Sequence, residues 1–142
     1  MKFKAKIYFE YDDILSMCQN LEHDVSKMRP DLIVGVTRGG LLPAVHLSHA
    51  LDIPMITIQW QTRDDTKREI NEEVIQALAE KKTVVFVDDI NDSGKTFKEI
   101  KKAYQGGKYV ALAERHGTVF KCDARSLRLD DQRWIVFPWE KD

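Results

Sequence analysis

Cysteine, net charge and long apolar runs are all scarce in this chain. Its 142 residues include two cysteines, Cys18 and Cys122, with no metal-ligand spacing between them. Both thiols are expected to be reduced. The formal net charge is −1, so there is no broad basic field to hold nucleic acid non-specifically, and any phosphate affinity must be local. No apolar run approaches the roughly 20 residues that a membrane-spanning helix needs, and no N-terminal signal is recognisable. The expectation is a cytoplasmic protein with neither nucleic acid nor membrane as partner. What is present, 43% hydrophobic residues, suffices for one compact domain over 1–142.

The most informative stretch runs Val84-Val85-Phe86-Val87-Asp88-Asp89-Ile90-Asn91-Asp92-Ser93-Gly94-Lys95-Thr96. Four β-branched or aromatic residues in a row predict a buried parallel strand. Asp88, Asp89 and Asp92 then crowd its carboxyl end, where open α/β sheets bind ligands. Ser93, Gly94, Lys95 and Thr96 follow where a helix should begin, so backbone N–H groups and the positive end of the helix dipole would face a phosphate. Carboxylates beside such a cradle imply a metal or a polyol. A Walker A loop ending at Lys95-Thr96 would need glycine where Asp89 stands, which removes that reading. A receiver-type acid pair would follow the first strand, whereas at least two strand candidates precede Asp88.

Elsewhere the chain alternates between strand and helix signals. Residues 4–9 predict a short edge strand, and Asp12 or Asp13 is expected to cap a helix with Ile14, Leu15, Cys18, Leu21 and Val25 on one stripe. That helix should stop before Pro30. Residues 32–36 read as a strand, Thr37-Arg38-Gly39-Gly40 as a turn, and 41–51 as a helix with Pro43 in its first turn. Residues 55–60 form a third strand, 61–69 a mobile polar loop, and Asn71 caps a helix through Ala79. After the acidic motif come a helix over 95–104 ended by Gly106-Gly107, a strand over 109–113, and a last apolar segment at 134–137. The pattern predicts an α/β fold with a mostly parallel twisted sheet flanked by helices. The Arg38-Gly39-Gly40 turn is a second phosphate candidate, because glycines allow close backbone approach and a guanidinium matches phosphate oxygens. His46 and His49 share a helix face without a third ligand and read as packing or surface residues.

The acidic stretch resembles the phosphoribosyl diphosphate (PRPP) motif of type I phosphoribosyltransferases, without a gap from Val87 to Thr96. The chain is most similar to the small bacterial xanthine-guanine enzymes of that family. The features shared with them are Arg38-Gly39-Gly40, Arg68-Glu69, Asp88 to Thr96, and Trp134-Ile135-Val136-Phe137-Pro138-Trp139. This resemblance implies a type I phosphoribosyltransferase fold with a small C-terminal base-binding hood, and transfer of the phosphoribosyl group from PRPP to a 6-oxopurine in purine salvage. It also implies a homo-oligomer, dimer or tetramer.

By the same resemblance each motif acquires a role. Arg38 and Gly39 bind pyrophosphate oxygens in a turn that often contains a cis peptide, here near Thr37-Arg38. Asp88 and Asp89 hold the ribose hydroxyls, Asp89 with Mg²⁺, and Asp92 is the general base toward the purine N7 proton. Ser93, Gly94, Lys95 and Thr96 cradle the 5′-phosphate. Arg68 ends the 61–69 loop, which with Arg63 and Lys67 either closes over the reacting centre or is a solvated charged loop. Trp134 stacks on the purine, and the backbone near Ile135 meets its Watson–Crick edge. Trp139 reads as a core or interface anchor. The family's base-contacting lysine is missing: Glu114 occupies the most direct alignment, and Arg115 supplies a donor with a one-residue shift. Val136 replaces an acid near the purine 2-position, so guanine, xanthine and hypoxanthine stay open. A noncatalytic sensor of PRPP or nucleotide, and a phosphoribosyltransferase for another base, are the alternative readings.

Overall fold

The computed structural model describes residues 5–62 and 67–141. Five parallel strands form the main sheet: β2 (Leu32–Thr37), β3 (Met55–Gln59), β4 (Val84–Asn91), β5 (Lys108–Arg115) and β6 (Ala124–Leu129), in the order β3-β2-β4-β5-β6. The acidic motif therefore lies on the central strand. A second sheet pairs β1 (Lys6–Tyr8) in parallel with β7 (Trp134–Val136), Ile7 opposite Ile135. The main sheet is flanked by α1 (Tyr11–Lys27) and α2 (Leu41–Leu51), and by α3 (Glu72–Ala79) and α4 (Lys95–Tyr104).

Alternation along β4 explains the layering. Val85 and Val87 enter one core with Ile14, Leu21, Leu47 and Leu112, whereas Val84 and Phe86 enter the other with Val74, Phe97, Ile100 and Tyr109. A strand buried on both faces has no polar side to show, hence its continuous apolar run. Each such side chain removed from water contributes on the order of 1.5–3 kcal/mol. In the second core Phe86 stacks on Tyr109 at 5.1 Å, and Phe97 meets the same ring edge-on.

The structure differs from the sequence reading in several places. Residues of β1 do not edge the main sheet; with β7 they build the hood, which is thus made by both ends of the chain. Glu10 precedes α1 as its N-cap, and its N–H donates to Asp13 Oδ2 at 2.8 Å. Leu15 points to solvent while Met17 is buried. Strand β3 ends one residue early, because Trp60 instead bridges Arg68 in antiparallel fashion. The helix α4 is closed by Gln105 in the left-handed conformation, ahead of the two glycines. Strand β6 carries no signal in the sequence reading. Asn71 does cap α3, accepting from the N–H groups of Glu73 and Val74.

Candidate active site

Strand β4 delivers Asp88 and Asp89 to the carboxyl edge of the sheet, where the 37–40 turn from neighbouring β2 meets them. The Thr37-Arg38 peptide is cis. Gly39 is required by this approach: a Cβ there would stand 2.1 Å from Asp89 Oδ2. The two acids are half-buried and adjacent, with Asp88 Oδ1 accepting from the Asp89 N–H at 2.8 Å and Asp89 Oδ1 from the Ile90 N–H at 2.7 Å. Burial pushes the Asp88 carboxyl well above the usual carboxylate range, and the neighbouring Asp89 charge adds to the shift. Burial raises Asp89 too, with Glu140 contributing. A positive charge placed beside them would favour their ionised forms.

Two cavities flank this pair. A cleft of about 1400 Å³ is lined by Arg38, Gly39, Trp60, Thr62, Asp89 and Trp139, among others. A smaller hollow of about 220 Å³ is lined by Asp88, Asp89, Asp92, Ser93, Gly94, Lys95 and Thr96. Gly94 takes φ +91°, and a Cβ on it would come within 2.7 Å of the Phe120 amide. That conformation turns the chain sharply from β4 into α4, aiming the first amides of the helix at the hollow. Ser93 Oγ already accepts from the Lys95 N–H at 3.2 Å. Thr62 and Thr96 share a 3.2 Å hydroxyl contact across the two cavities.

Asp92 stands beyond the end of β4, and Arg115 at the end of β5. Arg115 Nε donates to Asp92 Oδ1 at 2.5 Å, and its Nη1 to the Asp131 carbonyl at 2.7 Å. The Asp131 carboxylate in turn accepts from Arg133, immediately before Trp134. Arg115 thereby connects the acidic loop to the approach of the hood. Trp134 is 39% exposed, whereas Ile135 is buried. Neither residue lines the two cavities.

Several sequence candidates are placed differently from expectation. Glu114 does not face the site; it turns inward, buried at 6% exposure, to accept from the Asn91 side-chain amide and the Cys122 N–H. Arg68 pairs with Glu99 at 2.7 Å and lines neither cavity. The loop expected over 61–69 is pinned at its base, since Gln61 donates to the Lys67 carbonyl and Glu69 to that of Gln59. Arg63 lies outside the described residues. Trp139 stacks on Phe137 at 5.0 Å as a core anchor, and it also lines the cleft. Thr62 and Glu140 carry no motif of their own and are visible only once the chain is folded. His46 bonds Glu22 at 2.7 Å, linking α2 to α1.

Comparison with known proteins agrees with this geometry. The model of the phosphoribosyl transferase domain matches residues 8–140. A purine phosphoribosyltransferase from Pyrococcus horikoshii is 34% identical, with a TM-score of 0.82 over 96% of this chain and 95% of its own. The xanthine-guanine phosphoribosyltransferase of Cereibacter sphaeroides is 27% identical over 76% of this chain and 68% of its own length. A xanthine-guanine-hypoxanthine phosphoribosyltransferase from Helicobacter pylori, 24% identical, shares the fold with a TM-score of 0.75 over 94% of this chain and 92% of its own. A family model that spans nearly the whole chain decides its membership: this chain belongs to the phosphoribosyl transferase domain family.

Proposed function

We propose that this protein transfers the 5-phosphoribosyl group of PRPP to a 6-oxopurine, releasing pyrophosphate and forming a nucleoside monophosphate. The observation that carries this reading is the Asp92–Arg115 pair beside the Ser93–Thr96 loop. A 6-oxopurine presents N7 and O6 on one edge. When N7 is protonated, that edge offers one donor beside one acceptor, and a carboxylate next to a guanidinium is its complement. Asp92 then accepts the N7 proton as the base attacks the anomeric carbon, an effect typically of order 10²–10⁴ in rate. Arg115 holds O6 in place of the family's lysine, and the remaining bases fit this pair less well.

The other residues divide the PRPP molecule between them. Amides and hydroxyls of Ser93, Gly94, Lys95 and Thr96 cradle the 5′-phosphate, while Arg38 and the Gly39 backbone bind pyrophosphate in the larger cleft. Asp88 and Asp89 hold the ribose hydroxyls. Trp134 lies against the face of the purine, and the Ile135 backbone meets its far edge. Arg68 reaches the site only by leaving Glu99. The adjacent carboxylates of Asp88 and Asp89, which line both cavities, are an oxygen donor set that fits Mg²⁺. Among the described residues no group of three or more metal-ligating side chains forms, so such an ion would draw its other ligands from substrate and water, as Mg²⁺ commonly does. Asp89 would hold such an ion, and the chemistry supplied there would be charge neutralisation of the pyrophosphate leaving group. Residues 1–142 work as one domain in this reading, because the hood residues Ile135 and Phe137 share a core with α1 and α2.

Pyrophosphate release is measured with PRPP, Mg²⁺ and a panel of bases. Turnover with guanine, xanthine or hypoxanthine and little with adenine or pyrimidines is expected. Turnover confined to another base would overturn the 6-oxopurine assignment, and PRPP binding without turnover on any base would favour a sensor.

A further inference from the structure

One cross-strand pair and one side-chain pair follow one another where β4 and β5 end. Asn91 is opposite Glu114 in the ladder, and one residue further Asp92 meets Arg115 at 2.5 Å. Successive residues of β5 point to opposite faces, so Glu114 turns inward to Asn91 while Arg115 turns outward to Asp92. The inward pair is nearly sealed, with Asn91 3% and Glu114 6% exposed.

This buried pair is held by several contacts. Asn91 Nδ2 donates to Glu114 Oε2 at 2.9 Å and to the Phe120 carbonyl at 2.6 Å. Glu114 Oε2 also accepts from the Cys122 N–H at 2.6 Å, and Arg125 on β6 lies 3.7 Å from Oε1. Burial alone would raise the Glu114 carboxyl, but the Cys122, Asn91 and Arg125 contacts outweigh it and leave it below the usual range. A charged carboxylate in such a place is costly unless every contact is kept. The cluster also ties down the 118–122 segment, whose Phe120 amide crowds Gly94 in the phosphate loop.

We infer that the buried Asn91–Glu114 pair is a positioning element, which fixes the Asp92 carboxylate against Arg115 at the productive distance from the base. This rests on the reading of Asp92 as general base. It gives Glu114 a role through its neighbours, without contact with substrate. A shift of about 1 Å at a reacting group can cost on the order of 10²-fold in rate, so the pair should act on turnover far more than on PRPP binding.

The test compares Glu114→Ala, Glu114→Gln and Asn91→Ala in the full chain, with kcat and the PRPP-induced thermal shift measured for each. Glu114→Ala and Asn91→Ala are expected to lower kcat by about 10- to 100-fold with the PRPP shift retained. Glu114→Gln, which keeps an acceptor for Cys122, should recover most of the loss. In an Asp92→Asn background Glu114→Ala should cost little more, because residues acting through one group are non-additive. Equal cost in both backgrounds, unchanged kcat in the alanine variants, or loss of kcat and the PRPP shift together would overturn the inference. An unreactive wild type would overturn the function reading itself, a different result. If Glu114→Ala fails to fold, Asn91→Ala decides the matter, since Glu114 there keeps Cys122 and Arg125.

Discussion

Arg115 Nε donates to Asp92 Oδ1 across 2.5 Å, joining the end of β5 to the loop that follows β4. The guanidinium is the less exposed partner, at 12% against 43% for the carboxylate. Asp92 therefore has one oxygen held by Arg115 and an open face toward solvent, the arrangement of a group that is oriented yet accessible. Asp92→Asn preserves the shape and most of the hydrogen bonding while removing the proton acceptor. Turnover should fall by about 10²–10⁴ with PRPP affinity little changed, as measured by steady-state kinetics and calorimetry. Affinity lost in step with turnover would instead give Asp92 a ribose or metal role.

A second expectation concerns stability. The Asp88 carboxyl is raised by burial and by Asp89, so the folded state gives up that proton less readily than the unfolded chain. Its contribution is fully present below the ordinary carboxylate pKa and is lost as pH rises through the raised folded value. Asp88 therefore costs the fold more stability as pH rises. Asp88→Asn retains an oxygen for the Asp89 N–H and should raise Tm at neutral pH, with the gain vanishing in acid, while turnover drops. Thermal melts across pH check this; an unchanged or lowered neutral Tm would contradict it.

Much of the fold was legible because single elements declare themselves locally. Val84 to Val87 form an unbroken apolar run, Asn71 is a strong cap, and the acidic motif has a spacing that few other sites share. Strand β6 was not legible, since Arg125 and Arg128 interrupt its apolar residues and its pairing is decided by β5. The hairpin base at Trp60 and Arg68 depends on backbone bonds between polar residues, which leave no periodicity. Glu10 is an uncommon cap beside the better candidates Asp12 and Asp13. Leu15 follows Ile14 by about 100° around the helix and leaves the buried stripe. Within the site, Arg38, Gly39, Asp88, Asp89 and the 92–96 loop could be read from motif spacing. The inward turn of Glu114 could not, because it depends on which residue of β4 lies opposite.

Trp134 provides the means to separate base recognition from PRPP binding. Its ring is partly exposed at the start of β7, and the backbone behind it is fixed by its N–H to the Ala5 carbonyl at 2.8 Å. Removing the ring should therefore leave the hood strand in place. Stacking of one base on an aromatic side chain is worth about 1–3 kcal/mol. Trp134→Ala should accordingly raise the KM for the base by about 5- to 150-fold and leave the KM for PRPP nearly unaltered, since no phosphate or ribose contact is assigned to the ring. The measurement is a two-substrate kinetic series at saturating PRPP and then at saturating base. Unchanged base kinetics would return Trp134 to a packing role. A parallel rise in both constants would mean that the hood had shifted as a whole, carrying the Asp131–Arg115 link and Asp92 with it.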